Sequence, residues 1–196
     1  MQVTTKKQQT RKRIIDATIE GVKQHGYGGF GIDAIAKKAK VTSGAFYGHF
    51  SSKNKAFEAA VSSGMLSLVE GLTYWRDTAG EQWLDDFVNW YLGIEHRADL
   101  CCGCALPGLS VDVARAPKEV HIAYENQLIE AANIIANSLH STNHSHNEET
   151  AWSLLSILTG AVIMARAIDN EIIANEIAIA ASNNAKQMIK ASSDEK

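Results

Sequence analysis

Five basic side chains lie close together near the start of the chain: Lys6, Lys7, Arg11, Lys12 and Arg13. They fall on the first turns of a predicted helix, which are the positive end of its dipole. A cation there lowers the stability of the helix by roughly 0.3–1 kcal/mol at low salt. This placement favours a phosphate partner, because neutralising phosphates releases condensed counterions. A solvated basic face is the alternative interpretation.

The charge of the whole chain is divided in the same sense. Residues 1–55 hold 11 Lys and Arg against three Asp and Glu, whereas the rest hold eight against 19, although the net charge is only -3. Such an asymmetry predicts a basic end that meets a polyanion and an acidic body that does not. Nucleic acid is the leading partner, and an anionic membrane is its rival.

Three thiols form a second group that could do chemistry, in the sequence Cys101-Cys102-Gly103-Cys104. One thiol could sense oxidants while a neighbour resolves it into a disulfide. Zinc is another alternative, with His96 or the pair His144 and His146 completing four ligands. We expect small packed cysteines and no bound metal, because the histidines lie in a separate segment and no second Cys pair exists.

Apolar residues recur with a period of 3.6 along the chain, which predicts an all-helical protein. The pattern gives a helix over about residues 6–25, a two-turn helix that ends near Lys40, and a short helix over about 43–49 capped by Thr42. A longer helix follows Ser51-Ser52. Further helices are expected around 83–94 and at 118–139, 148–168 and 171–191, with a cysteine- and proline-bearing stretch at 99–117 and an exposed loop at 140–147.

Two short helices joined by a tight turn, behind a longer helix that shields their apolar sides, have the size and order of a helix-turn-helix. Ser43, Gly44, Ala45 and Gly48 are small, so the third helix can come close to the floor of a major groove. The amides at its start can meet a phosphate. Plain packing of three amphipathic helices is the alternative.

The most specific pattern in the chain is Gly44-x-x-Tyr47-x-His49-Phe50-x-x-Lys53. Together with residues 14–18, 25–27 and 32–36, it resembles the amino-terminal domain of the TetR/AcrR family of transcriptional regulators. The resemblance covers residues 14–57, and the remaining sequence is similar to the family only in its run of helices.

The resemblance implies an architecture and a function. We expect an all-α chain with a three-helix helix-turn-helix DNA-binding domain at residues 1–53 and a helical effector-binding and dimerisation domain at 54–196. Such regulators are typically homodimeric repressors that leave a palindromic operator when a small molecule binds the helical core. The implied partners are double-stranded DNA, a small-molecule effector and a second copy of the chain, without a cofactor.

The resemblance also implies roles for individual residues. The first residues of the third helix match positions that touch bases or adjacent phosphates, and Tyr47 and His49 match side chains that grip the DNA backbone. Lys53 matches a phosphate-binding lysine, which contributes affinity without specificity. Phe46 and Phe50 are assigned to the core. The expected DNA contacts are Arg11, Thr42, Ser43, Gly44, Tyr47, Gly48, His49 and Lys53.

Three residues depart from the family pattern. Gly31 stands where a capping and phosphate-contacting Thr or Ser is usual, and Gly48 replaces a larger residue. Lys40 replaces the usual turn glycine, which costs about 1 kcal/mol if Lys40 is left-handed. The third helix has no Arg or Gln for a bidentate base contact, so readout of DNA shape is expected to matter.

Large aromatic and polarisable residues are spread over several helices of the acidic half. The default prediction for the effector site is a pocket between helices of the bundle. A few of these large residues and one polar group would line it. Its ligand could be apolar or cationic, and core packing is the alternative role of these residues. The candidates are Trp75, Trp90, Tyr91, His96, Trp152 and Met164.

The last two long helices have apolar faces with small residues that permit close packing. Two such helices per subunit, forming a four-helix interface, are what the resemblance implies. An intramolecular core would use the same pattern without a partner. The expected interface residues are Trp152, Leu155, Leu158, Val162, Ile173 and Ile177.

Other functions find little support in the sequence. Gly26-x-Gly28-x-x-Gly31 has dinucleotide-binding spacing but follows a predicted helix rather than a strand. Nucleophile-elbow, phosphate-loop and His-Glu-x-x-His patterns are missing, so we do not expect an enzyme. Without a signal peptide pattern or a membrane-spanning stretch, a cytoplasmic location is expected. A peripheral membrane protein bound through the first helix remains the lesser alternative.

Overall fold

The computed structural model describes residues 5–100 and 103–194, and these residues form α-helices joined by short segments, without a β-strand. The all-α fold class is therefore confirmed. The helices of this part of the chain are α1 Lys6–His25, α2 Ile32–Lys38, α3 Ser43–Tyr47, α4 Lys53–Thr78, α5 Trp83–Tyr91, α6 Ile94–Ala98, α7 Ala105–Val113, α8 Lys118–Ala136, α9 His144–Arg166 and α10 Glu171–Asp194.

Helix α1 begins and ends at the predicted residues because its capping groups are local. The Thr5 hydroxyl accepts a hydrogen bond from the Gln8 amide, and the Gln8 side chain accepts one from the Thr5 amide at 2.8 Å. This capping box satisfies two amides that have no partner inside the helix. At the other end, Gly26 has a φ of 69° and its amide donates to the Val22 carbonyl. A positive φ favours glycine, so the predicted glycine stop is confirmed.

One predicted loop is wrong in part. Residues 140–147 were expected to form an exposed loop, but α9 begins at His144 and Asn147 is buried. The reason is local, because the Asn143 side chain accepts hydrogen bonds from the amides of Ser145 and His146 and so caps the helix. The predicted helix over 83–94 is also divided, since α5 ends at Tyr91 and a separate α6 begins after Gly93.

The helices form two compact units. The first runs to Met65 and takes in the segment from Leu100 to Glu125, whereas the second holds Leu66–Asp99 and the chain from Asn126 onward. The functional boundary after Lys53 stays a prediction.

An apolar cluster holds α1, α2, α3 and the start of α4 together. Phe46, Ile14 and Ile35 lie at its centre with no exposed surface. The assignment of Phe46 and Phe50 to the core is confirmed. The other buried members are Ile15, Ala17, Phe30, Ala39 and Ala56. The cluster fixes α3 by its inner side and leaves its outer side to solvent.

Lys40, which replaces the usual turn glycine, has the left-handed conformation that carries an energetic cost for a non-glycine residue. Its φ is 56°, the one positive value at a non-glycine position among residues 5–100 and 103–194. Its amide donates to Lys37 at 3.1 Å, and the Val41 amide donates to Ala36 at 2.9 Å. These two bonds form a Schellman motif that ends α2, a motif in which glycine is the usual left-handed residue.

Lys40→Gly is expected to raise the free energy of unfolding by about 1 kcal/mol, because glycine has no Cβ to strain in this conformation. Chemical denaturation at fixed salt measures the change. Lys37→Gly is the matched control, since it removes the same charge from the interior of α2 and should lower stability by about 1 kcal/mol. Equal losses in both variants would contradict the proposed strain.

Candidate nucleic-acid interface

Helix α3 presents a short, polar and sterically open surface. The Thr42 hydroxyl accepts a hydrogen bond from the Ala45 amide at 3.1 Å, which confirms Thr42 as the amino-terminal cap. Gly44, Ala45 and Gly48 are exposed, so small groups cover the outer side of this helix. Gly48 has a φ of -69°, and its small size rather than its conformation distinguishes it.

Two neighbouring aromatic residues of α3 have opposite environments. Phe46 is buried in the apolar cluster, whereas Tyr47 exposes 57% of its surface. Their rings meet edge to face with centroids 5.6 Å apart, so the buried ring supports the exposed one. Tyr47 is therefore a surface residue and does not belong to the core.

Ser43 and Asp33 connect α3 to α2. The Ser43 hydroxyl donates a hydrogen bond to the Asp33 carboxylate at 2.7 Å. Asp33 did not figure among the predicted site residues. Asp33 and Ser43 are ten residues apart, so sequence spacing does not predict the contact. The one sequence signal for Asp33 is its position in the first turn of α2.

Lys53 is half-buried and contacts the turn that follows α1. Its ammonium group donates to the Tyr27 carbonyl and lies 4.1 Å from the centroid of the Tyr27 ring. The Tyr27 amide in turn donates to Asp112 of α7 at 3.0 Å. Burial lowers the pKa of Lys53, and the Asp112 carboxylate opposes that shift. The lysine expected to bind phosphate therefore also fastens the turn between α1 and α2, a structural role that sequence reasoning missed.

Arg11 and His49 line an open groove beside α3. The groove has a volume of about 440 Å³, and the Arg11 guanidinium lies 4.8 Å from the Phe50 ring centroid. The Nδ1 atom of His49 is shielded from water and has no hydrogen-bond partner among the described residues. The remaining lining residues are Ser51, Lys55, Glu58, Ala59, Ser62 and Ala123.

Part of the basic charge near this surface is neutralised by ion pairs. Salt bridges join Lys12 to Asp16 at 2.7 Å, Lys38 to Glu20 at 2.8 Å and Lys55 to Glu58 at 2.6 Å. Within the described ranges, no such bridge is found for Lys6, Lys7, Arg11, Arg13, Lys37 or Lys40. The uncompensated positive charge thus lies largely at the start of α1 and around the α2–α3 turn.

Four of the six predicted effector contacts lie together in the second unit. The Trp90 ring centroid is 6.0 Å from that of Trp75, and the His96 ring lies 4.8 Å from Trp90 and 4.4 Å from Tyr91. Phe87 completes the group by contacting both tryptophans and Tyr91. Its spacing of three and four residues from Trp90 and Tyr91 could have identified it. The other two candidates, Trp152 and Met164, are exposed.

Two arginines hold α6 in the second unit. Arg166 donates hydrogen bonds to the carbonyl oxygens of His96, Arg97 and Asp99 at 2.9–3.0 Å. Arg97 donates to the carbonyl oxygens of Leu92 and Ala174. Four of these carbonyls, those of Leu92, His96, Arg97 and Asp99, lie at or just beyond the carboxyl ends of α5 and α6, where cations are favoured and acceptors need partners. Ala174 instead lies in the first turn of α10, so its bond to Arg97 ties α6 to that helix. The arrangement places His96 against the aromatic rings.

The predicted dimer contacts divide into buried and accessible residues. Leu155, Leu158 and Val162 are only 5%, 2% and 0% exposed within a single chain, so they form its interior. The apolar pattern of α9 shows that one face is covered, but it does not show whether the covering helix belongs to the same chain or to a second subunit. Trp152 and Ile173 are exposed and Ile177 is half-buried.

Cys101 and Cys102 lie outside the described residues, whereas the Cys104 sulfur accepts a hydrogen bond from the Leu106 amide at the start of α7. No group of three His, Cys, Asp or Glu side chains able to hold a metal ion occurs within 5–100 and 103–194. Across the same residues, no helix is long and apolar enough to cross a membrane.

Comparison with known proteins agrees with these features. Residues 14–60 match the family described as bacterial regulatory proteins, tetR family. The HTH-type transcriptional regulator SrpR of Pseudomonas putida is 43% identical over 56 residues, which are 29% of this chain and 26% of SrpR. The chain thus matches about a quarter of the length of that curated relative.

Solved structures share the fold over nearly the whole chain. A TetR-family regulator from Cytophaga hutchinsonii has a TM-score of 0.80 at 16% identity and covers 97% of this chain and 98% of its own. The reduced form of NemR from E. coli has a TM-score of 0.77 at 18% identity, covering 91% and 95%. The amino-terminal domain of the chain therefore belongs to the TetR family of bacterial regulatory proteins, and the described chain has the fold of solved TetR-family regulators.

Proposed function

We propose that the chain is a homodimeric, ligand-responsive repressor that binds a palindromic DNA operator, and that it acts by binding rather than by catalysis. The observation that carries the proposal is the exposed α3, anchored by Phe46 and flanked by uncompensated basic residues. Its small outer residues suit the major groove, and the cations at the start of α1 suit adjacent phosphates.

The proposed contacts are ordered by what each side chain offers. The hydroxyls of Thr42 and Ser43 meet base edges, because these residues begin the helix that enters the groove, and Gly44 lets its backbone approach bases or adjacent phosphates. The DNA phosphates on both sides of α3 are bound by Tyr47, His49 and Arg11. Gly48 has no side chain, so the protein backbone can come close to the DNA there. The Lys53 ammonium group has three hydrogens and donates one of them to the Tyr27 carbonyl, so it can also donate a hydrogen bond to a phosphate.

The proposed dimer uses the accessible side of α9 and α10. Trp152 and Ile163 lie three turns apart on α9, and Ile172 and Ile179 lie two turns apart on α10, so each pair shares a face. Ile172 exposes 70% of its surface. Exposed apolar stripes of this kind are typical of protein–protein interfaces. Ile172→Glu with Ile179→Glu should yield monomers in sedimentation, whereas Ile122→Glu in α8 should leave the dimer intact.

The proposed effector contacts Trp75, Trp90, Tyr91 and His96. Trp90 is half-exposed, so a ligand that stacks on this group also changes its solvent environment. Titration of candidate apolar and cationic compounds against tryptophan fluorescence tests this site, with Trp90→Phe as the reporter control. A compound that releases operator DNA without altering the fluorescence would place the effector elsewhere.

Selection from random duplex DNA with the purified chain tests the function as a whole. An enriched palindrome is expected, and its affinity should fall about a thousandfold or more between 50 and 200 mM salt, as for proteins that contact six or more phosphates. Salt-insensitive binding, or a pool without any enriched sequence, would overturn the proposal.

Tyr47→Ala is expected to weaken binding about 10- to 100-fold on every DNA sequence, because a hydrogen bond to a charged phosphate is lost. Fluorescence anisotropy with the selected operator and with an unrelated duplex measures the effect. Tyr74→Ala is the matched control, since Tyr74 is an exposed tyrosine of α4 in the second unit. Loss of the selected sequence alone would contradict a backbone role for Tyr47.

A further inference from the structure

The hydroxyl groups of Thr42 and Ser43 have opposite hydrogen-bonding states. Ser43 donates its hydrogen to Asp33 at 2.7 Å. A hydroxyl has one hydrogen, and an ionised carboxylate can only accept, so the outward side of the Ser43 oxygen keeps lone pairs alone. Thr42 accepts from the Ala45 amide and keeps its hydrogen to donate.

The state of the Ser43 hydroxyl matters because α3 has few polar side chains. Its sequence is Ser43-Gly44-Ala45-Phe46-Tyr47, without Arg, Lys, Asn or Gln. Ser43 is the first residue of the helix and is half-buried, with its direction set by Asp33 rather than by solvent. A fixed acceptor at this position distinguishes bases that an unconstrained hydroxyl, able to donate or accept, would treat alike.

We propose that Asp33 is a positioning residue for sequence readout: it holds the Ser43 hydroxyl as an acceptor that selects the amino group of cytosine or adenine. In the major groove, cytosine N4 and adenine N6 donate, whereas guanine O6 and thymine O4 accept. An acceptor therefore meets a partner in the first two bases and repulsion in the others. This inference rests on the proposed function, because it concerns the bases read by α3.

Base analogues test the inference with the unaltered protein. In the selected operator, each adenine is replaced by purine and each cytosine by 2-pyrimidinone, one position at a time, which deletes only the amino group. One position per half-site should lose about 3- to 10-fold in affinity, the value of one hydrogen bond. In Ser43→Ala protein, the same replacement at that position should have no effect. If every base analogue changes the affinity of the Ser43→Ala protein as much as that of the unaltered protein, the proposal is overturned.

Replacement of Asp33 separates a positioning role from a structural one. Asp33→Ala removes a negative charge near DNA, so overall affinity should stay the same or rise, while discrimination against guanine and thymine at the Ser43 position falls about 3- to 10-fold. A structural defect would instead lower affinity for all sequences together. Asp16→Ala, which removes an equal charge paired with Lys12 on α1, should leave base discrimination unchanged.

The outcomes distinguish the inference from the function on which it rests. If the unaltered protein binds its operator and the Asp33→Ala variant discriminates between bases as well as the unaltered protein does, the inference alone is overturned. A Ser43-dependent position that prefers guanine or thymine also overturns it. The lack of any DNA binding by the unaltered chain overturns the proposed function and the inference together.

Discussion

Phe46→Ala is expected to lower the free energy of unfolding by about 3–5 kcal/mol, the largest single effect predicted for this chain. Phe46 has no exposed surface, and its ring contacts Phe50 at 5.9 Å between centroids. Its removal leaves a cavity where α1, α2 and α3 meet, and a small domain cannot fully collapse around it. Operator binding should be lost with the fold of α3, as measured by denaturation and anisotropy.

The adjacent Tyr47 supplies the control for this prediction. Both variants delete an aromatic ring from the same short helix, but Tyr47 is 57% exposed. Tyr47→Ala should therefore leave stability within about 0.5–1 kcal/mol of the unaltered protein while it weakens DNA binding. Equal stability losses in the two variants would contradict the separation of anchor and contact within α3.

Gly21→Ala is expected to destabilise the chain by about 1–3 kcal/mol or more, although alanine is the better helix former. Gly21 is buried within α1, and a Cβ atom built there would lie 1.8 Å from the Phe30 ring. Phe30 is itself buried in the apolar cluster, so the ring has little room to move. Chemical denaturation measures the loss.

A second helical glycine provides the matched comparison. A Cβ atom at Gly71 of α4 would meet no atom within 4 Å, so Gly71→Ala should stabilise the protein by roughly 0.5–1 kcal/mol. When Gly21→Ala is made in a Phe30→Ala background, its effect should change from a loss to a similar gain. Without that reversal, the loss would not come from the contact with Phe30.

Local signals predicted the helices of the amino-terminal domain closely. Thr5, Gly26 and Thr42 act within four residues of the amides and carbonyls that they cap or end, so sequence spacing contains the whole interaction. The motif that ends α2 is equally local, because the amides of Lys40 and Val41 donate to carbonyls three and five residues back. The wrong loop over 140–147 has a local cause as well, because Asn143 is an ordinary capping residue that the prediction overlooked.

Interactions between distant residues could not be predicted in this way. An apolar stripe shows that a helix face is covered, but it does not say by what, so buried Leu155 and Leu158 were indistinguishable from exposed Trp152. Arg166 interrupts an apolar run in the sequence, whereas in the fold it satisfies carbonyl groups about 70 residues away. The aromatic group around Trp90 likewise depends on how α4, α5 and α6 pack.

Three properties follow from the sequence alone, because periodicity, capping and charge depend on neighbouring residues: the helical fold class, the resemblance to a regulator family and the basic character of the first 55 residues. The packing of the helices selects which groups on α3 are available to a partner. It buries Phe46, exposes Tyr47, ties Lys53 to Tyr27 and directs the hydrogen of Ser43 to Asp33. Each of these outcomes depends on contacts formed only when separate helices pack together.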